Sequence, residues 1–278
     1  MSRIEALFAR KNPVFIGFTV AGDPGIEASL GVATTMIDAG ADLLEIAIPY
    51  SDPVADGPVI ERAHVRALRA GTTADDVFAL VRRIREHAPA TPLVLFTYYN
   101  IIHRRGADRF FAEAAASGAD GVLIVDLPVE ESDEVAPYAA RYGVDRIALI
   151  APTTSPERQH TILSGASGFV YLISLEGVTG ERDRLPPGLA GLVGAVREKT
   201  CLPLAVGFGV SRPEHVRTVV AAGANGVIVG SALVRLIEEH SNDEAGMHEA
   251  LATAITALRG ALVPDPEPDM LRRERVDE

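Results

Sequence analysis

Two hydrophobic patterns alternate along this chain. Short, nearly continuous apolar runs at 14–20, 43–48, 93–97, 121–124, 144–150, 169–173, 202–206 and 226–229 read as strands buried on both faces, the mark of a parallel sheet covered by helices. The longer amphipathic stretches between them read as helices, and their starts carry capping signals. Thr73 with Asp76, Ser155 before Pro156, and Ser211 with Glu214 are the clearest of these. A weak internal repeat runs through the pattern: Ala39-Gly40-Ala41-Asp42, Ser117-Gly118-Ala119-Asp120 and Ala222-Gly223-Ala224-Asn225. In each, a helix C-cap glycine feeds a buried strand.

Eight strands with intervening helices and no long structureless insert predict a single-domain (β/α)8 TIM barrel, of class α/β, rather than an open doubly wound sheet. No G-x-G-x-x-G follows the first strand, which removes the main support for a dinucleotide-binding reading. Residues 1–10 form an extra amphipathic helix. The barrel domain is expected to span 1–262, ending in an alanine-rich helix. Residues 263–278, a charged tail with Pro264, Pro266 and Pro268, are expected to fray.

Composition narrows the function classes. A chain of 278 residues with 47% hydrophobic and 23% charged content is soluble and globular, and no apolar run approaches the roughly 20 residues that span a bilayer. The N-terminus lacks the apolar core of a secretory signal. Cys201 is the single cysteine, which excludes an internal disulfide and a cysteine metal cluster and fits a reducing cytoplasm. A net charge of -12 with scattered basic residues argues against a nucleic-acid partner.

Within the second strand one carboxylate, Glu45, interrupts the apolar run. An unpaired charge there is costly, so it asks for a partner, a ligand or a chemical task. Pairing to an arginine of a neighbouring strand is the structural alternative, and no strand core is read as carrying one. The loop that follows, with Pro49, Asp52, Pro53, Asp56, Gly57 and Pro58, cannot continue a sheet. At the carboxyl end of a parallel strand it sets Asp56 above Glu45 as a second acid of different solvation. The alternative for Asp56 is a place in an Asp-Gly turn.

Glycines mark a second feature. Gly207-Phe208-Gly209-Val210-Ser211 follows the seventh strand, Gly230-Ser231 follows the eighth and opens a helix, and Gly180 lies in the sixth connection. Backbone N–H groups and a helix N-terminus can cradle a phosphate there, although tight turns alone would also explain the glycines. Lys11 and Lys199 are the only lysines and neither ends a strand, which disfavours Schiff-base chemistry. The seven histidines lack ligand spacing and read as solvated surface, so no metal is expected. Carboxylate acid/base work on a phosphorylated substrate remains.

The segment Glu45-Ile46-Ala47-Ile48-Pro49-Tyr50-Ser51-Asp52-Pro53-Val54-Ala55-Asp56-Gly57-Pro58 closely resembles the signature of the tryptophan synthase alpha subunit family. So do Ala21-Gly22-Asp23-Pro24, Asp126-Leu127-Pro128, Gly177-Val178-Thr179-Gly180, Gly207-Phe208-Gly209 and Gly230-Ser231, in the right order from Phe15 to about His240. The resemblance implies a lyase that cleaves indole-3-glycerol phosphate to indole and glyceraldehyde 3-phosphate in L-tryptophan biosynthesis, with no cofactor in this chain. It implies Glu45 as proton shuttle, Asp56 as acceptor of the indole N–H, and Thr179 as its partner when the sixth loop closes. It implies a phosphate cradle of Gly180, Gly209, Gly230 and Ser231, and a wall of Phe18, Tyr171, Phe208 and Ile228. The expected partner is a pyridoxal-phosphate beta subunit in an α2β2 assembly, met through Pro49, Asp52, Pro53 and Asn100. Val20, Ala47, Val125 and Leu175-Glu176 depart from the family's usual residues. A lyase that acts without a partner, and a non-catalytic barrel that activates a beta subunit, are the alternatives.

Overall fold

A computed structural model describes residues 1–173, 188–207 and 209–263. Its strands are β1 (Val14–Val20), β2 (Leu43–Ala47), β3 (Leu93–Thr97), β4 (Gly121–Ile124), β5 (Asp145–Arg146), β6 (Ala148–Ile150), β7 (Val170–Ile173), β8 (Leu204–Gly207) and β9 (Gly226–Val229). All pair in parallel, in the order β5-β4-β3-β2-β1-β9-β8-β7-β6. β5 and β6 are two halves of one stave, divided at Ile147. The ladder changes partner there: β5 pairs with β4, the Ile147 N–H still donates to Val122 O at 3.0 Å, and β6 pairs with β7. The staves thus close into the expected (β/α)8 barrel.

Side-chain alternation sorts the strands into two layers. One set, including Leu44, Ile46, Leu95, Val122 and Val227, packs outward against the helices. The other, including Val14, Ile16, Phe18, Leu43, Ala47, Val94, Leu123, Phe169 and Ala205, fills the barrel interior. The helix Arg3–Arg10 begins with a Ser2/Glu5 capping box, and its buried Ile4 and Leu7 join that inner set from the amino-terminal end.

The internal repeat has a mechanical meaning. Gly40, Gly118 and Gly223 take positive φ angles of 112°, 93° and 87°, a conformation that favours glycine. The residue two places on then reaches the neighbouring stave. Asp42 Oδ2 accepts from Phe15 N at 2.9 Å, Asp120 Oδ2 from Leu93 N at 2.8 Å, and Asn225 Oδ1 from Leu204 N at 2.9 Å. Each of these contacts satisfies a backbone N–H at the amino end of a strand and fixes its register.

Several local expectations are corrected. The Thr73/Asp76 box and the Ser155 cap are present, but Ser211 does not cap its helix; Arg212 occupies that position because Pro213 takes the first helical place. Arg146 lies within β5, so a strand does carry an arginine, although its guanidinium donates to Gly165 O. His64 and His215 are buried rather than solvated. Residues 264–278, and with them most of the expected tail, lie outside the described residues. No helix of the described residues is long and apolar enough to cross a membrane.

Candidate active site

Glu45 stands at the middle of β2 and shares inward parity with Leu43 and Ala47. Its register partners are Phe18 on β1 and Val94 on β3, both in the inner layer. The side chain is fully buried, and neither carboxyl oxygen has a hydrogen-bond partner. Among the described residues no cation pairs with it, Arg146 included. Burial alone therefore pushes its pKa up to about 8, so at neutral pH it carries a proton. A buried carboxyl with both oxygens unsatisfied is rare in a folded chain and marks a place where something else belongs.

The strand ends at Ala47, and the loop that follows returns to the barrel at Asp56. Asp56 is buried, and its Oδ2 accepts from the Tyr98 hydroxyl at 2.7 Å and faces His64 Nε2 at 3.2 Å. Tyr98 follows β3 and also receives the Ala55 N–H at 3.2 Å; Tyr50 stacks on its ring at 4.7 Å between centroids. Burial first, and then the charge of Asp56, push the Tyr98 hydroxyl well above its ordinary pKa, so it remains a donor. The two acids thus differ as the sequence suggests: Glu45 sits among apolar groups, whereas Asp56 sits among donors.

A cavity opens at the carboxyl end of the barrel, lined by Phe18, Asp56, Ile60, Phe96, Tyr171, Gly209, Val210, Ile228, Gly230 and Ser231. Seven residues singled out from the sequence meet there: Phe18, Asp56, Tyr171, Gly209, Ile228, Gly230 and Ser231. Phe18 and Phe96 meet edge to face at 5.3 Å, which gives the wall an aromatic character. The Tyr171 hydroxyl is held far above its usual pKa by burial and by the nearby charges of Glu45 and Asp56. Across the cavity, Gly209 has a φ of +80° and Gly230 precedes the helix Ser231–Glu239, whose first N–H groups are free of intrahelical acceptors.

Other expected residues fall elsewhere. Thr179, Gly180 and Phe208, with Leu175 and Glu176, lie outside the described residues. Val125 packs against the inner cluster and lines a second groove of about 510 Å³, with Arg146 and Ile162; that groove contains neither Glu45 nor Asp56. Of the loop positions, Asp52 and Asn100 are exposed and Pro53 is half-buried, whereas Pro49 is buried within the chain and presents little surface. Val54, at 77% exposure, projects beside them. Sequence reading missed Tyr98, His64, Ile60 and Phe96. Among the described residues no cluster of three or more His, Cys, Asp or Glu side chains could hold a metal ion.

The family model described as tryptophan synthase alpha chain matches residues 4–262. The tryptophan synthase alpha chain of Methanoregula boonei is 51% identical over 262 residues, which cover 94% of this chain and 98% of that protein. The chain belongs to the tryptophan synthase alpha chain family. Solved structures agree. The alpha subunit of Legionella pneumophila is 36% identical, with a TM-score of 0.86 over 94% of this chain and 98% of that one. The alpha chain of the Pyrococcus furiosus tryptophan synthase α2β2 complex is 42% identical, with a TM-score of 0.84 over 90% and 99%. Membership in the tryptophan synthase alpha family covers the whole barrel, from the N-terminal helix to the end of the last helix.

Proposed function

We propose that this chain cleaves indole-3-glycerol phosphate to indole and glyceraldehyde 3-phosphate as the alpha subunit of a tryptophan synthase. The observation that carries this reading is Glu45, protonated and partnerless inside the barrel beneath a cavity that bears Asp56 on its wall. Indole leaves a carbon chain only after the ring carbon bearing that chain has gained a proton. Glu45, neutral at pH 7, supplies it. The resulting carboxylate then takes the proton of the glycerol hydroxyl as the carbon–carbon bond breaks to the aldehyde. One proton enters and one returns, so no other acid is needed.

Positive charge spreads over the indole ring in the first step. Asp56 accepts the ring N–H and offsets that charge where it develops. Phe18, Phe96, Tyr171 and Ile228 hold the ring, and Gly209, Gly230 and Ser231 hold the phosphate at the helix N-terminus. Phe208, Gly180 and Thr179 belong to the same site in this reading: Phe208 to the ring's wall, Gly180 to the cradle, and Thr179 as the residue that meets Asp56 when the sixth loop closes. The chain works in the cytoplasm, bound to a beta subunit that carries pyridoxal phosphate and consumes the indole. Asp52, Pro53 and Asn100 face that partner, joined by Val54.

The deciding measurement is indole release by the purified chain, alone and with its cognate beta subunit. Weak release alone and strong release in the complex supports the reading. Full turnover by the isolated chain assigns it instead to a lyase that acts without a partner. Glu45→Gln should abolish release in both settings while leaving activation of the beta subunit intact. Absence of cleavage by the unaltered chain in the complex would leave only an activator.

A further inference from the structure

His64 lies on the inward face of the helix Pro58–Arg69 and is fully buried. It makes two contacts that together determine its tautomer. The Tyr50 N–H donates to Nδ1 at 3.2 Å, so Nδ1 must present a lone pair. Its proton therefore sits on Nε2, which faces Asp56 Oδ2 at 3.2 Å and donates to it. A proton on Nδ1 would face the Tyr50 N–H, so the backbone contact selects the Nε2–H tautomer.

Tyr98 donates to the same oxygen at 2.7 Å. Two donors from different elements, a helix and the end of β3, thus converge on Oδ2. Among the described residues Oδ1 receives no hydrogen bond, and Asp56 lines the cavity. One donor would satisfy the buried oxygen but leave the carboxylate free to pivot about that contact. The second, approaching from another direction, removes the pivot.

We propose that His64 is a positioning residue: as the Nε2–H tautomer it locks Asp56 by Oδ2, so that Oδ1 is presented to the cavity as the acceptor for the substrate's ring N–H. This rests on the reading of Asp56 given above. It also explains why the imidazole is anchored to Tyr50, at the start of the loop that ends in Asp56: the loop's first and last turns are referred to one another through one rigid ring.

Glutamine and asparagine separate the two contacts. The Gln amide nitrogen can occupy the place of Nε2 and donate to Asp56. The Asn amide oxygen can occupy the place of Nδ1 and accept from Tyr50, but its side chain is too short to reach the carboxylate. With the complete α2β2 complex, His64→Asn should lower kcat for indole release about 10-fold with little change in KM, the scale of one lost hydrogen bond to a charged group. His64→Gln should restore most of that loss. In the Asp56→Asn background, His64→Asn should cost nothing further. Equal losses in the Asn and Gln variants, or losses that multiply with Asp56→Asn, would reduce His64 to packing and overturn the proposal. An Asp56→Asn variant with normal kcat would remove the role of Asp56 itself, and the proposal with it. A measurement that needs no substitution accompanies these: ring ¹⁵N shifts of His64 in the unaltered protein report the tautomer, and a proton on Nδ1 contradicts the assignment whatever the variants do.

Discussion

Gly207 leaves the space that the Tyr171 hydroxyl fills. A Cβ at Gly207 would lie 2.2 Å from that oxygen and 2.6 Å from the ring carbon bearing it. The two residues sit on adjacent staves, β8 and β7, and Tyr171 is held near both Glu45 and Asp56. A rigid aromatic ring cannot bend away, so Gly207→Ala must displace Tyr171 into the cavity or spread the staves. Overpacking of this kind costs about 1–3 kcal/mol. Thermal or urea denaturation should show that loss, and indole release should fall further than stability alone accounts for. Normal turnover in Gly207→Ala would mean that the position of Tyr171 is irrelevant to the reaction.

Glu45 should make stability fall as pH rises. Its folded pKa, near 8, lies above the ordinary glutamate value, so between about pH 4.5 and 8 the folded chain holds a proton that the unfolded chain has released. Unfolding then releases that proton, and the folded state loses ground with each unit of pH until about 8, beyond which the penalty is constant. Glu45→Gln has no such proton. The difference in melting temperature between Glu45→Gln and the unaltered chain should therefore grow in favour of Gln from pH 5 to pH 8 and level off above. A flat difference would show that the carboxyl is not held neutral by the fold. The same proton is the one the reaction uses, so kcat should decline above about pH 8.

How much of this was visible in the sequence depends on how far apart the cooperating residues lie. Glu45 announced itself because a charge inside an apolar strand is anomalous in its own neighbourhood, and Gly230-Ser231 did so because a glycine before a helix has a local meaning. His64 gave no such sign. It follows Ala63 on an ordinary amphipathic helix, and its role comes from Tyr50 and Asp56 folding back onto it. Tyr98 reaches Asp56 across 42 positions, from just beyond the apolar run 93–97. The fifth stave read as one strand of seven residues, 144–150, although Asp145 and Arg146 interrupt its apolar pattern. The break at Ile147 comes from a change of pairing partner, which no single-strand pattern records.

The phosphate reading makes a separate demand on Ser231. Its hydroxyl stands at the first turn of the helix Ser231–Glu239, beside the backbone of Gly230 at the cavity wall. A hydroxyl that contacts the phosphate binds substrate and transition state alike. Ser231→Ala should then raise KM for indole-3-glycerol phosphate by roughly 5- to 10-fold with kcat nearly unchanged. Inorganic phosphate should compete less well against substrate in the variant. A fall in kcat at constant KM would place Ser231 in the chemical step instead and would move the cradle elsewhere.

The repeat predicts which substitutions the base of the barrel tolerates. Asp120 is 6% exposed and accepts from Leu93 N and Arg85 Nη2 through Oδ2, at 2.8 and 2.7 Å, and from Arg3 Nη1 through Oδ1 at 2.8 Å. Asp120→Ala removes the acceptor from a strand N–H and leaves Arg85, itself largely buried, without its carboxylate. Losing one partner of a buried pair costs about 3–5 kcal/mol. Asp120→Asn keeps a carbonyl oxygen for Leu93 N. The chain already contains that solution: Asn225, at the equivalent place in the third repeat, accepts from Leu204 N with an amide oxygen and has Arg197 on the same atom. Asn at 120 should therefore cost distinctly less than Ala, and the register of β3 should survive. Urea unfolding of the two variants gives the comparison, and amide exchange at Leu93 gives the local one. If both substitutions are equally costly, the charge on Asp120 matters more than its hold on the neighbouring stave, and the three repeats do not share one mechanical role.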